Sequence, residues 1–284
     1  MINIAFWEPI FIICLINVIF VAGLYINALS GILQLCTAAL AGIGGYASAV
    51  LTTNLGWSFI PSVIVGAFCG AVIGTLLAVI TARMSVFILK LATLAFGEVV
   101  VIFAFNLDYI GGANSFTGIP LETNLLIASV GAALAVYVAW QIDRSPTGYA
   151  ARCVRDDPVA TAAIGISILK IRTLTFALGA AIIAMGGAIQ AHYFLVINPT
   201  ELGFFVSLTY VIFLVVGGIQ TLWGPILMAV VLTAIPEAMR FANEYRLVLY
   251  GFIVVVIVLL RPEGLITRKT FSFKNTNNDS TQSC

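Results

Sequence analysis

Apolar residues run through this chain in blocks of membrane length, separated by short polar breaks. The blocks fall at about 9–29, 30–53, 58–81, 85–107, 123–142, 171–194, 203–221, 223–240 and 246–261. A helix needs roughly 20 apolar residues to cross the hydrocarbon core, and each block meets that length or comes close. Within a bilayer the backbone must be hydrogen-bonded by protein, which leaves helices or closed barrels. The blocks far exceed a barrel strand of roughly ten residues and show no period-two alternation. The pattern predicts an all-α fold: a polytopic integral membrane helix bundle of about nine transmembrane helices, with eight to ten the range that 284 residues allow.

Composition supports lipid as the solvent. Hydrophobic residues make up 61% of the chain and charged residues 9%, against about 25% charged in soluble domains. The net charge of +1 and the lack of a basic tract argue against nucleic acid as a partner. Cys14, Cys36, Cys69, Cys153 and Cys284 show no CxxC or Cys/His spacing, and the lone His192 cannot build a zinc site. The cysteines read as reduced packing residues, and no metal or cofactor is expected. The N-terminus lacks the basic start and short apolar core of a signal peptide, so the first block is expected to remain as a span.

Lys and Arg set the orientation. None precedes Arg83; the 82–90 connection has Arg83 and Lys90, and the 143–172 loop region has Arg144, Arg152, Arg155, Lys170 and Arg172. Arg261, Arg268, Lys269 and Lys274 follow the last block, while the 108–122 and 195–202 loops have none. Positive residues concentrate on the cytoplasmic side, so the 143–172 loop and the C-terminus are expected inside and the N-terminus outside, with Arg240 and Arg246 as exceptions. Residues 1–266 form the membrane domain, and the polar stretch 267–284 reads as a disordered cytoplasmic tail.

Small residues mark helix faces. Gly66, Gly70 and Gly74 share one face, as do Ala180, Ala184 and Ala188, which suits close helix packing in lipid. Thr37–Ala49 and Gly179–Ala191 align weakly around Gly44-Gly45 and Gly186-Gly187, a likeness that two Ala/Gly-rich helices reach by chance.

Catalysis finds no support: there is no phosphate loop, no H-E-x-x-H and no G-x-S-x-G. His192, near the outer end of its block, reads as an interfacial, solvated imidazole. Glu98 stands near mid-depth of its block, beside Gly97 and close to Thr93. A carboxylate at that depth costs a few kcal/mol and faces protein or a water-filled path. Two readings stand: a group lining or hinging the translocation path, or a buried acid bonded to a neighbouring helix and fixing a bend at Gly97. Gln34, Asn17, Asn27 and Gln190 are weaker polar candidates within apolar blocks.

The polar loop has its own punctuation. Pro146-Thr147-Gly148 reads as a turn. Asp157 followed by Pro158 is an N-cap with proline at the first helical position, starting a short helix through Ile164 that Gly165 stops. Flanked by Arg152 and Arg155, this helix suits docking to a soluble subunit; a surface loop bound by anionic lipid is the other reading.

At this loop the sequence resembles a known family. Gly148–Ile166 (GYAARCVRDDPVATAAIGI) resembles the cytoplasmic loop of permease subunits of branched-chain amino acid ABC importers, the LivM-like family. Ser30–Leu51, Leu91–Val99 (LATLAFGEV), Gly111–Pro120 (GGANSFTGIP), Val215–Ala229 (VVGGIQTLWGPILMA) and Tyr245–Ile266 resemble it as well, in the family's order. The resemblance implies a bacterial inner-membrane permease paired with a second homologous permease, two cytoplasmic ATP-binding subunits and a periplasmic solute-binding protein. It implies no enzyme activity in this chain. The loop becomes an ATPase-coupling helix, with Gly148, Arg152, Arg155, Asp156, Asp157, Ala160 and Gly165 as its coupling residues. Of the general importer pattern E-A-A-x-x-x-G, only Ala160 and Gly165 match. Thr93, Gly97, Glu98 and Gln34 are the path or hinge candidates. Branched-chain amino acids are the expected solutes. Urea, amides or aromatic acids in the same family, or an ion-coupled carrier using Glu98, are the alternatives.

Overall fold

Eight of the nine apolar blocks coincide with a helix in the computed structural model, which describes residues 4–81, 84–238 and 251. These are α1 (Ile4–Leu29), α2 (Thr37–Asn54), α3 (Phe59–Thr81), α4 (Val86–Asn106) and α5 (Leu125–Arg144). Two short helices, α6 (Pro146–Asp156) and α7 (Pro158–Ala163), precede α8 (Ile168–Phe194), α9 (Phe204–Gly217) and α10 (Trp223–Ala238). The block at 246–261, apart from Gly251, and the tail at 267–284 lie outside the described residues.

Among the described residues, five helices (α1, α3, α4, α5 and α8) are long and apolar enough to cross a membrane. α2 has 18 residues but is diluted by glycine, alanine and threonine. α9 has 14 residues, about 21 Å, less than the thickness of the hydrocarbon core.

One block is broken where continuous helix is expected. Ser30–Cys36 is not helical, and α2 begins only at Thr37. α1 stops in a closed cap: Gly31 N donates to Ala28 O at 3.0 Å and Ile32 N to Asn27 O at 3.3 Å. Gly31 takes φ +79°, the left-handed conformation such caps need and glycine adopts without strain. A second break is the expected 195–202 loop ahead of α9: Pro199–Leu202 forms a 3-10 turn and the helix starts at Phe204.

α8 is the axis of the bundle, and α1, α2 and α3 pack on it. The two small-residue faces meet each other. A Cβ at Gly70 would collide with Ala184 Cβ, one at Gly74 with Ala180 Cβ, and one at Gly66 would lie 2.7 Å from Gly44 O. α2 approaches α8 the same way, with Gly187 against Ala41 O and Gly44 against the Ala184 backbone. The segments around Gly44-Gly45 and Gly186-Gly187 are thus neighbours, and their shared composition serves one contact.

The two ends of the bundle differ. At one end, β1 (Phe116–Thr117) and β2 (Val196–Ile197) pair antiparallel, Phe116 opposite Ile197, joining the two loops that lack Lys and Arg. At the other end lie α6 and α7 with Arg144, Arg152, Arg155, Lys170 and Arg172. Large apolar side chains such as Ile60, Phe68, Phe103 and Leu126 are exposed on α3, α4 and α5, the surface expected against lipid.

His192 is not solvated. It is fully buried; its Nε2 is 3.1 Å from Thr52 Oγ1, its Nδ1 is 2.8 Å from Ala188 O, and Phe59 stands edge-on at 5.0 Å. α2 and α3 cover the end of α8, so the imidazole joins helices instead of meeting water.

Candidate functional site

The basic end is built on a reversal of the chain. Ser145 follows α5 and caps α6, its Oγ accepting from Gly148 N at 3.2 Å, with Pro146 in the first turn. Pro146-Thr147-Gly148 is therefore the start of a helix and not a free turn. Gly148 is buried against the end of α5, where a Cβ would lie 2.9 Å from Asp143 O and closer still to Ile142 O. No side chain fits that reversal.

Arg152 on α6 turns inward. It is 8% exposed, forms an ion pair with Asp143, and its guanidinium carbon sits 4.6 Å from the Tyr149 ring centroid. Tyr25 of α1 donates to the same Asp143 Oδ1 at 3.0 Å. This network ties α6 to α5 and α1, so Arg152 is not an outward polar contact. Arg155 Nε donates to Asp156 Oδ1 at 3.0 Å. The stem of Arg155 covers Gly31, where a Cβ would meet Arg155 Cγ at 3.2 Å.

α7 starts as its sequence dictates: Asp157 Oδ1 accepts from Val159 N at 2.9 Å and Ala160 N at 3.0 Å. It ends with Ile166 N donating to Thr161 O at 3.3 Å and Gly165 at φ +86°. Its polarity is inverted. Thr161, the one polar side chain, is 3% exposed, while Val159 is 80% and Ile164 72% exposed. Ala160 and Gly165 share that open surface, and Asp156 flanks it.

The second constellation surrounds the break between α1 and α2. Leu35 N donates to Thr93 Oγ1 at 3.1 Å, and Ala38 N to Ser207 Oγ at 3.0 Å. Ser30 Oγ is 2.9 Å from Thr175 Oγ1. Gln34 is fully buried, and neither its amide nitrogen nor its oxygen has a hydrogen-bond partner among the described residues. Gly97 faces Cys36, with room for a Cβ at 3.7 Å. Glu98 does something else: its Oε1 accepts from Phe204 N at 3.1 Å, capping the first residue of α9. A carboxylate suits a helix N-terminus, where unpaired N–H groups and the helix dipole favour negative charge.

Thr93, Gly97 and Gln34 therefore gather at one break, and Glu98 fixes the other. The sequence reading missed Ser207, Thr175 and the contact of Arg155 with Gly31. The two hydroxyls lie inside apolar blocks and were findable by the logic that singled out Glu98; nothing in the sequence signals the Arg155 contact.

A family model described as "Branched-chain amino acid transport system / permease component" matches residues 8–258. The high-affinity branched-chain amino acid transport system permease protein LivM of Escherichia coli is 27% identical over 295 positions, covering 90% of this chain and 69% of LivM. LivH of Salmonella typhimurium is 28% identical over 200 positions, covering 68% of this chain and 64% of LivH. The BraD permease of Pseudomonas aeruginosa is 28% identical over 165 positions, covering 57% of this chain and 53% of BraD. No solved structure matches the chain. With the family model spanning nearly all of a membrane-length helix bundle, the chain belongs to the branched-chain amino acid transport permease family and is a transport component, not an enzyme.

Proposed function

We propose that this chain is one of two pore-forming halves of an ABC importer carrying branched-chain amino acids across the bacterial inner membrane. Its partners are a homologous permease, two cytoplasmic ATP-hydrolysing subunits and a periplasmic binding protein, with the α6–α7 end inside and the N-terminus outside. The observation that carries the docking role is the inverted face of α7, which exposes Val159 and Ile164 and buries Thr161. A short apolar face flanked by Asp156 and Arg155 fits a groove in a soluble protein. The paired loops at the other end, joined through Phe116 and Ile197, are the landing surface for the loaded binding protein.

The coupling route follows from contacts. Because Asp143, Arg152 and Tyr25 lock α6 to α5 and α1, force on α7 is delivered to the end of α1. Arg155 lies directly on Gly31, where the break begins. ATP-driven closure of the soluble subunits shifts the path between inward- and outward-open states only insofar as they bind the two states with different affinity.

Reconstitution with the four partners tests this. Ile164→Asp and Val159→Asp are expected to release the ATPase subunits on purification and lower leucine uptake at least roughly tenfold, with the chain's own thermal stability unchanged. Wild-type uptake and co-purification in both variants would reject the docking role. Uptake by this chain alone under an ion gradient without ATP would replace it with a self-sufficient carrier.

A further inference from the structure

The end of the bundle opposite α7 holds a cavity of about 310 Å³. Its walls come from α2, α8, the 196–202 connector and α9. Ala38, Ala41, Gly42, Gly45 and Gly187 form an apolar floor without bulk. The glycines are built in: a Cβ at Gly42 would lie 2.5 Å from Leu202 Cδ2, and one at Gly45 would lie 3.1 Å from Gly187 O.

Four polar side chains line the same space: Gln190, Asn198, Glu201 and Tyr210. No Lys, Arg or His is among the lining residues. Glu201 is exposed and makes no ion pair among the described residues. Asn198 spends its Oδ1 on Thr200 N at 3.1 Å, which leaves its NH2 to donate. Tyr210 is held in place by Phe20, with ring centroids 4.9 Å apart.

The volume is at the small end of ligand pockets, about 300–1,000 Å³, and suits a solute of few heavy atoms. A single carboxylate with no cation among the described lining residues selects a positive group. Amide and phenol donors satisfy a carboxylate, and the floor of alanine and glycine accepts an aliphatic side chain. We infer that this cavity is a binding station within the chain for an aliphatic α-amino acid, its ammonium at Glu201 and its carboxylate at the Gln190 and Asn198 amides. The inference rests on the permease reading and adds a solute site in this subunit itself.

The test is equilibrium binding of radiolabelled leucine to the purified full-length chain in lipid nanodiscs. Saturable binding is expected, displaced by isoleucine and valine. 3-Methylbutylamine, which lacks the carboxylate, and 4-methylpentanoate, which lacks the ammonium, are expected to compete at least roughly tenfold more weakly. Glu201→Gln and Gln190→Leu are each expected to weaken leucine binding by a similar factor without lowering the unfolding temperature. No saturable leucine binding by the wild-type chain overturns the inference, as does equal affinity in Glu201→Gln. The permease reading is tested separately with the four-partner assembly. If that assembly carries leucine while both variants transport with unchanged KM, the cavity site falls and the permease reading stands. If it carries no amino acid, the permease reading falls.

Discussion

Replacing Gly70 by alanine tests the joint between α3 and α8. The added Cβ would collide with Ala184 Cβ and lie 3.0 Å from Ala180 O. Carbon atoms rest at about 3.5–4.0 Å, so the helices must separate by on the order of 1 Å or a backbone must shift. Overpacking of this kind costs about 1–3 kcal/mol. The cost is felt along the whole joint, because helices in lipid associate through close packing of small residues. Ala184→Gly removes the obstructing methyl; alone it loses about 1 kcal/mol of helix propensity and a contact of similar size. Combined with Gly70→Ala it should restore much of the packing, giving a favourable coupling energy of about 1–3 kcal/mol. Recovery should be incomplete, since Ala180 O still faces the new Cβ at 3.0 Å.

Reversible unfolding in mixed micelles, followed by tryptophan fluorescence, measures all four corners of the cycle. Gly97→Ala is the control: its Cβ would meet Cys36 at 3.7 Å, an ordinary contact, and alanine is the better helix former by about 1 kcal/mol. It should be neutral or stabilising. Strict additivity of Gly70→Ala and Ala184→Gly, or a Gly70→Ala no more damaging than Gly97→Ala, would show that these helices do not meet at that register.

Glu98→Ala should cost about 1 kcal/mol through loss of the α9 cap and speed hydrogen exchange at the Phe204 amide. Glu98→Gln keeps an acceptor and should leave that amide protected; equal protection in both variants would remove the cap. In a variant whose only cysteine is the exposed Cys153, a membrane-impermeant maleimide should label inside-out vesicles and not intact cells. A variant keeping only the buried Cys36 should label in neither. Labelling of Cys153 from the outer face would invert the topology and with it the ATPase dock.

The continuous helices were legible because hydropathy is a property of single segments. α1, α3, α4, α5 and α8 each carry enough apolar length to announce themselves. The Ser30–Cys36 break was not, because what satisfies it is distant in sequence. Ser30–Cys36 keeps Ile32, Leu33 and Leu35, so it reads as span; the backbone donors of Leu35 and of Ala38 in the first turn of α2 are met by Thr93 and Ser207 from other helices. Glu98 was visible as an anomaly, but its partner, Phe204 N, is a backbone group 106 residues away that no local pattern links to it. In the polar loop the Asp157-Pro158 start was recognised, while the equivalent Ser145-Pro146 start was passed over because Gly148 two residues later reads as turn. Glycine there answers the nearness of the Ile142 and Asp143 carbonyls, a tertiary demand that local propensity does not record.

Both breaks meet on the same elements. α4 supplies Thr93 to the gap before α2 and, little more than one helical turn later, Glu98 to the start of α9. Ser207, the fourth residue of α9, reaches back to Ala38 N at the start of α2. A displacement of the Ser30–Cys36 segment therefore cannot stay local. Moving it together with the first turn of α2 loosens Thr93 and Ser207, and α9 is held at its own start by Glu98 on the same helix as Thr93. Because α2 and α9 also form walls of the 310 Å³ cavity, the proposed push from α7 through Arg155 and Gly31 reaches the cavity by an unbroken series of contacts. Those contacts are a few single hydrogen bonds around breaks in helices, each about 0.5–1.5 kcal/mol net, whereas the glycine-lined joints of α8 with α2 and α3 are close-packed. Motion should therefore concentrate at the two breaks while the α2–α3–α8 core moves as a unit.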